Sequence, residues 1–539
     1  MNLARLLQLL HPRTPCVLGP FDPAASVLGV TEDSRRVAPG WIFVARPGLR
    51  ADGRRFIPAA LRAGAVAVVT DHPPEQAPPG APPGAPPEAT PKAPILLTPD
   101  PALLGARIAE HLAGSPSAAL ALVGITGTNG KTTTATLIAR AARAAGLSCG
   151  LIGTVEVDDG SHATPSAYTT PPAELLSPML ARMREQGCVA AAMEVSSHAL
   201  DQHRTAGMRF AAGVYTNLTG DHLDYHGDMD RYAAAKARLF AQLEPDALAV
   251  VNAADPWHER VVGGCRARVL CCAPRGKRTP RGTPDAVVTF TDVSAGGMAL
   301  RLDGPWGTLH THTTLIGAHN AMNLLQAVAV CTGVLGITPS ALAEIIPGLC
   351  APIGRLEPVH GSADDIAVLI DFAHTDDALA NCLRAARLAT PAGARLWVVF
   401  GCGGNKDRTK RPRMGAAAVE GADRVVITSD NPRTEDPEAI IDEICAGIPA
   451  EKRSIVQREA DRQAAIRMAV LGAAPGDVLV LAGKGHEREQ ELSDGCGGIR
   501  TIPFDEHRIA REALAARRAM GERTNETQGA AQATGRDEG

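Results

Sequence analysis

The sequence has little that suggests a nucleic-acid-binding or membrane protein. Its 539 residues carry a formal net charge of −4, so the composition gives no basic surface for a polyanion. No run of eighteen apolar residues occurs, so we expect no membrane-spanning helix. Aromatic residues make up only 3% of the chain, whereas Ala, Gly and Val are abundant, as is typical of sheets covered by helices.

The cysteines show no metal-binding or redox spacing. No C-x-x-C pair occurs among the 12 cysteines, and the adjacent Cys271 and Cys272 cannot form a zinc site on their own. We therefore expect reduced thiols and a cytoplasmic protein. The first residues, MNLARLLQLLHPRTP, lack the long apolar core of an export signal, so they predict a first helix.

One stretch, Ala119–Ala145, has the pattern of a phosphate-binding loop. The apolar run Ala119–Ile125 predicts a buried strand, and the segment from Thr132 onward predicts a helix. The turn between them offers backbone N–H groups and a helix N-terminus to phosphate oxygens. Lys131 would reach the terminal phosphates, and the Thr132 hydroxyl would bind Mg²⁺. The outer glycine, Gly124, comes one residue earlier than in the strict motif, but the coincidence of strand, turn, Lys-Thr and helix predicts an ATP site rather than an ordinary glycine turn.

Length and composition divide the chain into α/β units and a tail. The predicted parts are an N-terminal unit over 1–115, a central P-loop unit with a parallel sheet over 116–350, a C-terminal Rossmann-like unit over 351–521 and a disordered tail over 522–539. Within the first unit, residues 73–94 are mostly Pro, Ala and Gly and predict a flexible insertion. In the third unit, apolar runs end in polar or glycine residues, where parallel sheets collect ligands. These runs are Ala367–Phe372, Arg395–Gly401, Arg424–Asp430 and Asp477–Gly485.

Polar residues at the ends of two central strands are candidate metal ligands. Mg²⁺ prefers oxygen ligands, so Glu194 beside Thr132 suits it, and His222 would complete a second metal position. A solvated surface turn is the alternative for the segment around His222. The helical pattern around Lys236 predicts, by itself, a solvated lysine, and Asn320 at a predicted helix start is either an N-cap or an amide that contacts a base.

Six motifs resemble, in order and spacing, those of the Mur ligase family. They are GTNGKTT (127–133), EVSSHAL (194–200), TNLTGDHLDYHGDM (216–229), GRLE (354–357), DFAHTDDAL (371–379) and GKGHE (483–487). The resemblance implies an ATPase domain between an N-terminal UDP-binding domain and a C-terminal amino-acid-binding domain. It also implies that ATP converts a carboxylate of a UDP-MurNAc-peptide into an acyl phosphate, which the amine of an amino acid then attacks.

The resemblance implies roles for the matched residues. ATP would contact Gly127, Thr128, Asn129, Gly130, Lys131, Thr132, Thr133, Asn320, Arg355 and Asp371. Mg²⁺ would be held by Thr132, Glu194, His222 and, if carbamylated, Lys236. The UDP-MurNAc-dipeptide would contact Ser34, Thr169, Thr170, Ser196 and Arg204. Catalysis would depend on Lys131, His222 and Lys236. Thr170 is equally suited to cap a helix that begins at Pro171.

The segment Asp430–Arg433, DNPR, resembles the motif of family members that add meso-diaminopimelate. The distal carboxylate of this amino acid needs a cation that binds both its oxygens, and Arg433 supplies one, whereas the ammonium of lysine would be repelled there. Lys406 stands where the family usually has arginine and cannot form that fork. The implied diaminopimelate contacts are Lys406, Asp430, Asn431, Pro432, Arg433, Gly483 and Glu487.

The expected protein is a monomeric cytoplasmic ligase that uses ATP and Mg²⁺. Its expected substrates are UDP-MurNAc-L-Ala-D-Glu and meso-diaminopimelate, with no nucleic acid and no membrane span. The alternatives are the same ligation with L-lysine, another amide ligase such as folylpolyglutamate synthase, or a nucleotide-binding scaffold that has lost turnover. The scaffold is disfavoured because binding alone need not retain all the candidate phosphate and metal groups.

Overall fold

The computed structural model describes residues 1–11, 15–48, 51–73, 93–280, 282–294, 296–350, 353–361 and 363–534, with only the backbone for 521–534. Most of the predicted Pro- and Ala-rich insertion, residues 74–92, lies outside these described residues. The chain forms two compact units. Unit 1 comprises Met1–Cys272, Arg278–Asp285 and Gln326–Thr338, and unit 2 comprises Ala273–Lys277, Ala286–Leu325 and Pro339–Gly539. No helix in the described part of the chain has the length and apolar character needed to cross a membrane.

The N-terminal part of unit 1 is a small sheet packed against helices. Its helices are α1 (Leu3–Leu9), α2 (Ile57–Arg62) and α3 (Pro101–Leu112). Its strands are β1 (Cys16–Leu18), β2 (Gly29–Thr31), β3 (Trp41–Ala45), β4 (Ala67–Thr70) and β5 (Ile95–Leu97). They lie in the order β1-β5-β4-β3-β2, and only the β1–β5 pair is antiparallel among the described pairings. Helix α3 begins where Asp100 accepts a hydrogen bond from the Leu103 N–H, with Pro101 at the first helical position.

The central part of unit 1 carries the predicted phosphate loop. Its strands are β6 (Ala121–Thr126), β7 (Cys149–Ile152), β8 (Glu156–Asp158), β9 (Ala163–Pro165), β10 (Ala190–Glu194), β11 (Ala212–Tyr215), β12 (Leu248–Asn252) and β13 (Arg268–Pro274). Its helices are α4 (Lys131–Ala144), α5 (Ala173–Glu185), α6 (Ser197–Asp201), α7 (Leu223–His226), α8 (Met229–Ala241) and α9 (His258–Val262). The strands lie in the order β13-β12-β11-β6-β10-β7-β8-β9. The pairs from β13 to β7 are parallel and the pairs to β8 and β9 antiparallel, so the predicted parallel sheet is confirmed with an antiparallel edge.

Unit 2 begins with an antiparallel meander. Its strands are β14 (Ala286–Ser294), β15 (Gly297–Gly304) and β16 (Gly307–Thr313), paired in sequence order. Helix α10 (Ala318–Gly333) starts in unit 2 and ends in unit 1, and α11 (Pro339–Ile345) follows it.

The C-terminal part of unit 2 is a second, mostly parallel sheet. Its strands are β17 (Glu357–Pro358), β18 (Ala367–Asp371), β19 (Leu396–Phe400), β20 (Arg424–Ile427), β21 (Val456–Arg458), β22 (Val478–Ala482), β23 (Glu489–Ser493) and β24 (Ile499–Pro503). Its helices are α12 (Asp376–Ala389), α13 (Lys410–Gly421), α14 (Pro437–Cys445), α15 (Arg462–Gly472) and α16 (Glu506–Thr534). The order β17-β18-β22-β19-β20-β21 brings the strands of the four predicted apolar runs together, while β23 and β24 form a separate ribbon. Because β18, β22, β19 and β20 are parallel, their carboxyl ends share one edge.

The chain after Glu522 differs from the expected disordered tail. Helix α16 continues in the backbone to Thr534, and residues 535–539 lie outside the described residues. The segment has few apolar residues, which favours disorder, but residues 522–534 include three Ala, two Glu and two Gln, which have high helix propensity.

Candidate active site

The loop between β6 and α4 has the geometry of a phosphate cradle. Gly127 has φ +153°, and a Cβ at this position would lie 1.8 Å from the Thr216 hydroxyl oxygen, so only glycine fits. Gly130, with φ 84°, precedes α4, and no side chain of the described residues caps the N-terminus of that helix. The Nζ of Lys131 donates to the carbonyls of Gly127 and Thr128 at 2.9 and 2.8 Å. The uncapped helix start and the lysine therefore place positive charge at one turn, which suits a polyphosphate.

The segment after β11 braces this loop. The side-chain oxygen of Asn217 accepts the Asn129 backbone N–H at 2.9 Å, and its amide donates to the Asn129 carbonyl at 3.2 Å. The Thr219 backbone N–H donates to the Thr128 hydroxyl at 3.0 Å. Sequence reasoning assigned no role to Asn217 or Thr219, although both belong to a quoted motif. Their function is to fix the loop conformation.

Glu194, the last residue of β10, is buried and surrounded by oxygen and nitrogen donors. Its carboxylate accepts hydrogen bonds from the Thr132 hydroxyl at 3.0 Å, and from the Thr154 backbone N–H and hydroxyl at 2.7 and 3.2 Å. The carboxylate and the two hydroxyls form the all-oxygen donor set that Mg²⁺ prefers, so the residues present fit this ion. In the described part of the chain, no three His, Cys, Asp or Glu side chains converge to hold a metal. Thr154 is a neighbour of the site that sequence reasoning missed.

Lys236 lies in the protein interior beside the phosphate loop. Its side chain is buried, with Nζ 4.4 Å from the centroid of the Tyr232 ring. The Tyr232 hydroxyl lies 3.1 Å from the Thr128 hydroxyl. Burial, and secondly the charge of Lys131, holds the pKa of Lys236 well below its usual value. The solvated lysine predicted from the helical pattern alone is therefore wrong, because the helix turns this position toward the core.

His222 lies at the edge of the same region. It has φ 54°, about half of its side chain is exposed, and its Nε2 lies 3.4 Å from an Asp221 carboxylate oxygen. The centroid of its ring is 4.8 Å from that of His198 and 6.4 Å from that of Tyr232. The half-exposed side chain is compatible with the alternative of a solvated surface turn, and the ring contacts bring it beside the tyrosine that contacts the loop. His198 had no role in the sequence-based interpretation.

The residues expected to bind the muramoyl-dipeptide converge behind Glu194. The Thr170 hydroxyl donates to the Glu194 carbonyl at 2.9 Å and accepts the Ser196 backbone N–H at 3.0 Å. Arg204 donates to the Thr170 carbonyl at 2.6 Å, and burial lowers the pKa of its guanidinium. Thr169 joins the group by accepting a hydrogen bond from the Thr154 hydroxyl at 3.0 Å.

Thr170 is not the N-cap that its position before a proline suggests. Helix α5 begins at Ala173, with Pro172 in the N-cap position, and no side-chain cap occurs in the part of the chain that the structure describes. Because the Thr170 hydroxyl is bonded to a strand carbonyl, it is not available to the helix. The prediction of a helix starting at Pro171 is therefore wrong by two residues.

Ser34 lies in a short 3-10 helix, Ser34–Arg36, that contacts the start of α5. Asp33 caps this turn by accepting the Arg35 N–H, and the Arg35 guanidinium beside it lowers the pKa of Asp33 to about 2. The neighbouring Thr31 hydroxyl lies 3.3 Å from a Glu174 carboxylate oxygen in the first turn of α5. The expected uridine-binding turn and the dipeptide group thus flank the same helix start.

Asn320 in unit 2 is neither an N-cap nor an exposed amide. Helix α10 begins at Ala318, so Asn320 lies inside its first turn. It is buried, its amide donates to the Ile316 carbonyl at 2.9 Å, and its oxygen accepts from the Asn323 amide at 3.2 Å. The N-cap alternative is therefore wrong.

Arg355 and Asp371 lie among aromatic rings in unit 2. The Arg355 guanidinium carbon is 5.2 Å from the Phe372 ring centroid. Burial, and secondly the charge of Arg355, lowers the pKa of His319 and of His486 to about 4. Burial also raises the pKa of Asp371, whose carboxylate accepts two backbone N–H groups at 2.8 Å. The group combines one cation with neutral imidazoles and an aromatic face.

The loops after β19 and β20 pack tightly around Arg433. A Cβ at Gly404 would lie 2.0 Å from the Pro432 carbonyl oxygen, so the loops touch through backbone. Arg433 has φ 55° and donates from Nη1 to the Gly404 carbonyl at 2.7 Å. A Cβ at Gly403 would lie 3.2 Å from Arg433 Nη1 and 3.9 Å from Lys406 Cγ. The Arg433 guanidinium and the alkyl part of the Lys406 side chain therefore flank one glycine.

Other residues expected to contact diaminopimelate lie around a buried lysine. Lys484 donates to the Asn431 side-chain oxygen at 2.8 Å and lies 3.5 Å from an Asp430 oxygen. Asn431 donates to Glu487 at 2.9 Å, and a Cβ at Gly483 would lie 3.8 Å from an Asp430 oxygen. Lys484 was missed, although it lies within the quoted GKGHE motif. It fixes the carboxylates that would face a substrate ammonium.

Comparisons with known proteins agree with this architecture. Three family models match successive parts of the chain, namely the Mur ligase family catalytic domain over 26–111, the Mur ligase middle domain over 125–331 and the Mur ligase glutamate ligase domain over 354–485. Two curated relatives are named UDP-N-acetylmuramoyl-L-alanyl-D-glutamate–2,6-diaminopimelate ligase. The protein of Chlorobaculum tepidum is 43% identical over 87% of this chain and 89% of its own length. That of Synechococcus elongatus is 42% identical over 96% of this chain and 100% of its own.

A solved structure bearing the same ligase name has a similar fold. It matches with a TM-score of 0.68 and 31% sequence identity over 96% of this chain and 99% of that one. The fold is thus the three-domain arrangement of this group, with mixed α/β sheets. Since sequence relatives, domain models and fold agree along nearly the whole length, this chain belongs to the Mur ligase family.

Proposed function

We propose that this chain is an ATP-dependent, ADP-forming ligase that joins meso-2,6-diaminopimelate to UDP-N-acetylmuramoyl-L-alanyl-D-glutamate in the synthesis of a peptidoglycan precursor. The observation that carries the proposal is the charge arrangement at the carboxyl ends of β19, β20 and β22. There, Arg433 and the Lys406 side chain lie on either side of Gly403, and the Asp430 and Glu487 carboxylates lie around Lys484. A distal amino-acid head has one carboxylate and one ammonium, and this arrangement complements both.

The reaction requires that a carboxylate become an electrophile. A carboxylate oxygen of the D-glutamyl residue attacks the terminal phosphorus of ATP, and the bond to the ADP oxygen breaks. The amine of diaminopimelate then attacks the carbonyl carbon, loses a proton and expels inorganic phosphate. Lys131 and the N-terminus of α4 stabilise the charge that develops on the transferred phosphoryl group.

The groups around Glu194 would hold Mg²⁺. We assign its ligands to Thr132, Glu194, His222 and a carbamylated Lys236. An ion held by these residues would supply positive charge to offset that of the phosphates. Burial lowers the pKa of the Lys236 amine, which favours the neutral form that reacts with carbon dioxide.

The remaining substrate contacts follow from the groups described above. Thr169, Thr170, Ser196 and Arg204 would bind the muramoyl-dipeptide, and the turn containing Ser34 would bind the uridine nucleotide. ATP would be bound by the loop residues Gly127–Thr133, together with Asn320, Arg355 and Asp371. Arg355 supplies a cation and Phe372 an aromatic face for the nucleotide.

The test is an amino-acid panel with purified protein. ATP and UDP-MurNAc-L-Ala-D-Glu are incubated with meso-diaminopimelate, L-lysine or D-Ala-D-Ala, and ADP and ligated peptide are quantified in a single turnover. We expect product with diaminopimelate, far less with the other two, and none from Lys131→Ala. Arg140→Ala, which removes another cation of α4, is the matched control and should retain activity. Preference for L-lysine or D-Ala-D-Ala would contradict the proposal.

A further inference from the structure

Glu491 of the β23–β24 ribbon contacts the arginine expected to bind the substrate. Its Oε2 lies 2.6 Å from the Nε of Arg433, and its backbone carbonyl accepts the Arg433 N–H at 3.1 Å. Its own backbone N–H donates to the Asn431 side-chain oxygen at 3.0 Å. Ribbon and DNPR turn are therefore connected through backbone, while the two charged side chains meet at their ends.

The ion pair is close but poorly directed. Within the described residues, Glu491 Oε2 makes no hydrogen bond that meets angular criteria, despite its short distance to Arg433. The directed hydrogen bond of the guanidinium goes instead from Nη1 to the Gly404 carbonyl. A carboxylate that met Nε and Nη2 in the guanidinium plane would form two charge-assisted hydrogen bonds and would bind more strongly.

Both partners are accessible enough for exchange. The side chain of Arg433 is 20% exposed and that of Glu491 is 37% exposed, although the paired oxygen Oε2 is buried. A rotation of Glu491 would therefore bring its carboxylate into solvent and leave Arg433 partly exposed. Arg433 would then receive a new carboxylate in place of the old one.

We propose that Glu491 is the internal counter-ion of Arg433, occupying the position of the distal carboxylate of diaminopimelate until the substrate displaces it. This inference rests on the proposed function. When the substrate displaces Glu491, the carboxylate of the substrate replaces that of Glu491 at Arg433. A ligand with a second carboxylate can therefore break the Arg433–Glu491 ion pair. A ligand with a neutral or cationic end cannot replace Glu491, so the Arg433–Glu491 ion pair remains. Glu491 is thus a specificity-determining residue that competes with the substrate.

The test replaces the Glu491 carboxylate by an uncharged amide of the same size. Glu491→Gln should lower the KM for diaminopimelate about three-fold, as expected from loss of a partly exposed ion pair, with kcat and the KM for ATP unchanged. Glu489→Gln is the matched control, because Glu489 is an exposed residue of the same strand and the change removes the same charge. It should leave the KM nearly unchanged. The difference between the two variants should shrink at about 0.5 M salt.

The alternatives give distinct results. A raised KM in Glu491→Gln would mean that Glu491 only orients Arg433, and an equal fall in both variants would indicate a general charge effect. Either result, or an unchanged KM with normal wild-type turnover, overturns this inference alone. Absence of ligation with diaminopimelate in the wild-type protein would instead refute the proposed function.

Discussion

At the residue scale, Arg433 combines an uncommon backbone conformation with a defined side-chain direction. A non-glycine residue in the left-handed region costs on the order of 1 kcal/mol, which the surrounding contacts must offset. The Gly404 carbonyl and Glu491 provide those contacts on either side of the guanidinium. The DNPR motif predicted the residue, but not the strain or the counter-ion.

Loss of the Arg433 side chain should affect one substrate only. We expect Arg433→Ala to raise the KM for diaminopimelate about 10- to 100-fold, since a hydrogen-bonded charge pair is lost, while nucleotide affinity stays unchanged. Steady-state kinetics and an ATP titration measure the two effects. Arg458→Ala, at an exposed arginine paired with Glu438, is the control. An unchanged KM for diaminopimelate would contradict the role of Arg433.

Lys236 provides a second residue-scale prediction. A neutral amine adds to carbon dioxide to give a carbamate and a proton, and burial holds the Lys236 pKa low enough to favour that amine. With ¹³C-labelled carbon dioxide, the wild-type protein should show a carbamate resonance by NMR that Lys236→Gln lacks. The absence of such a resonance in the wild-type protein would refute carbamylation.

The burial of Lys236 was visible in the sequence but was not recognised. The residue lies four positions after Tyr232 and three before Leu239, so it falls on the buried stripe of α8. The prediction of a solvated side chain assumed that a lysine of an amphipathic helix lies on its polar face. The spacing of Lys236 from Tyr232 and Leu239 places it on the apolar face instead.

At the scale of elements, the site depends on the edge shared by parallel strands. The carboxyl ends of β19, β20 and β22 bring together three loops that are far apart in sequence. Apolar runs predicted those strands, and their polar ends predicted the ligand edge. The β23–β24 ribbon was not predicted, because EQELS is mostly charged and polar and its pairing depends on tertiary contacts.

The packing of these loops gives a prediction at this scale. Gly404→Ala would place a Cβ 2.0 Å from the Pro432 carbonyl oxygen, so the DNPR turn must shift. We expect the KM for diaminopimelate to rise about ten-fold or more, since small misplacements of binding groups are costly. Gly348→Ala is the control, because its added Cβ would meet no atom of the described residues within 4 Å. Equal kinetics for the two variants would contradict the packing argument.

At the scale of the whole molecule, a buried carboxylate joins the first two predicted parts of the chain. Glu110 of α3 accepts the Ser117 backbone N–H at 3.1 Å and the Ser177 hydroxyl at 2.8 Å. This contact helps to explain why residues 1–272 pack as one compact unit. The sequence composition predicted an N-terminal and a central part. Nothing in the sequence pattern indicated that Glu110, Ser117 and Ser177 would connect them.

Removal of that carboxylate should loosen unit 1. We expect Glu110→Ala to lower the free energy of unfolding by about 2 kcal/mol, because the buried serine donors lose their acceptor. Calorimetry would detect this as an earlier first thermal transition. Glu110→Gln keeps an acceptor oxygen and should lose less. Equal transitions for the wild-type protein and Glu110→Ala would show that the contact contributes nothing.

The order of the six motifs was the most informative feature of the sequence at this scale. It indicated the family, which the comparisons then showed. Local details were less accessible, as the start of α5 and the surroundings of Asn320 demonstrate, because both depend on hydrogen bonds to other segments.

The central claim is that an acyl phosphate activates the D-glutamyl carboxylate. Its most direct test traces an oxygen atom from that carboxylate into the released phosphate. UDP-MurNAc-L-Ala-D-Glu labelled with ¹⁸O in the D-glutamyl carboxylates is converted with ATP and diaminopimelate, and the released phosphate is analysed by mass spectrometry. Activation through an acyl phosphate predicts one ¹⁸O atom in each inorganic phosphate, carried over from the carboxylate. Unlabelled phosphate alongside ligated product would contradict the account.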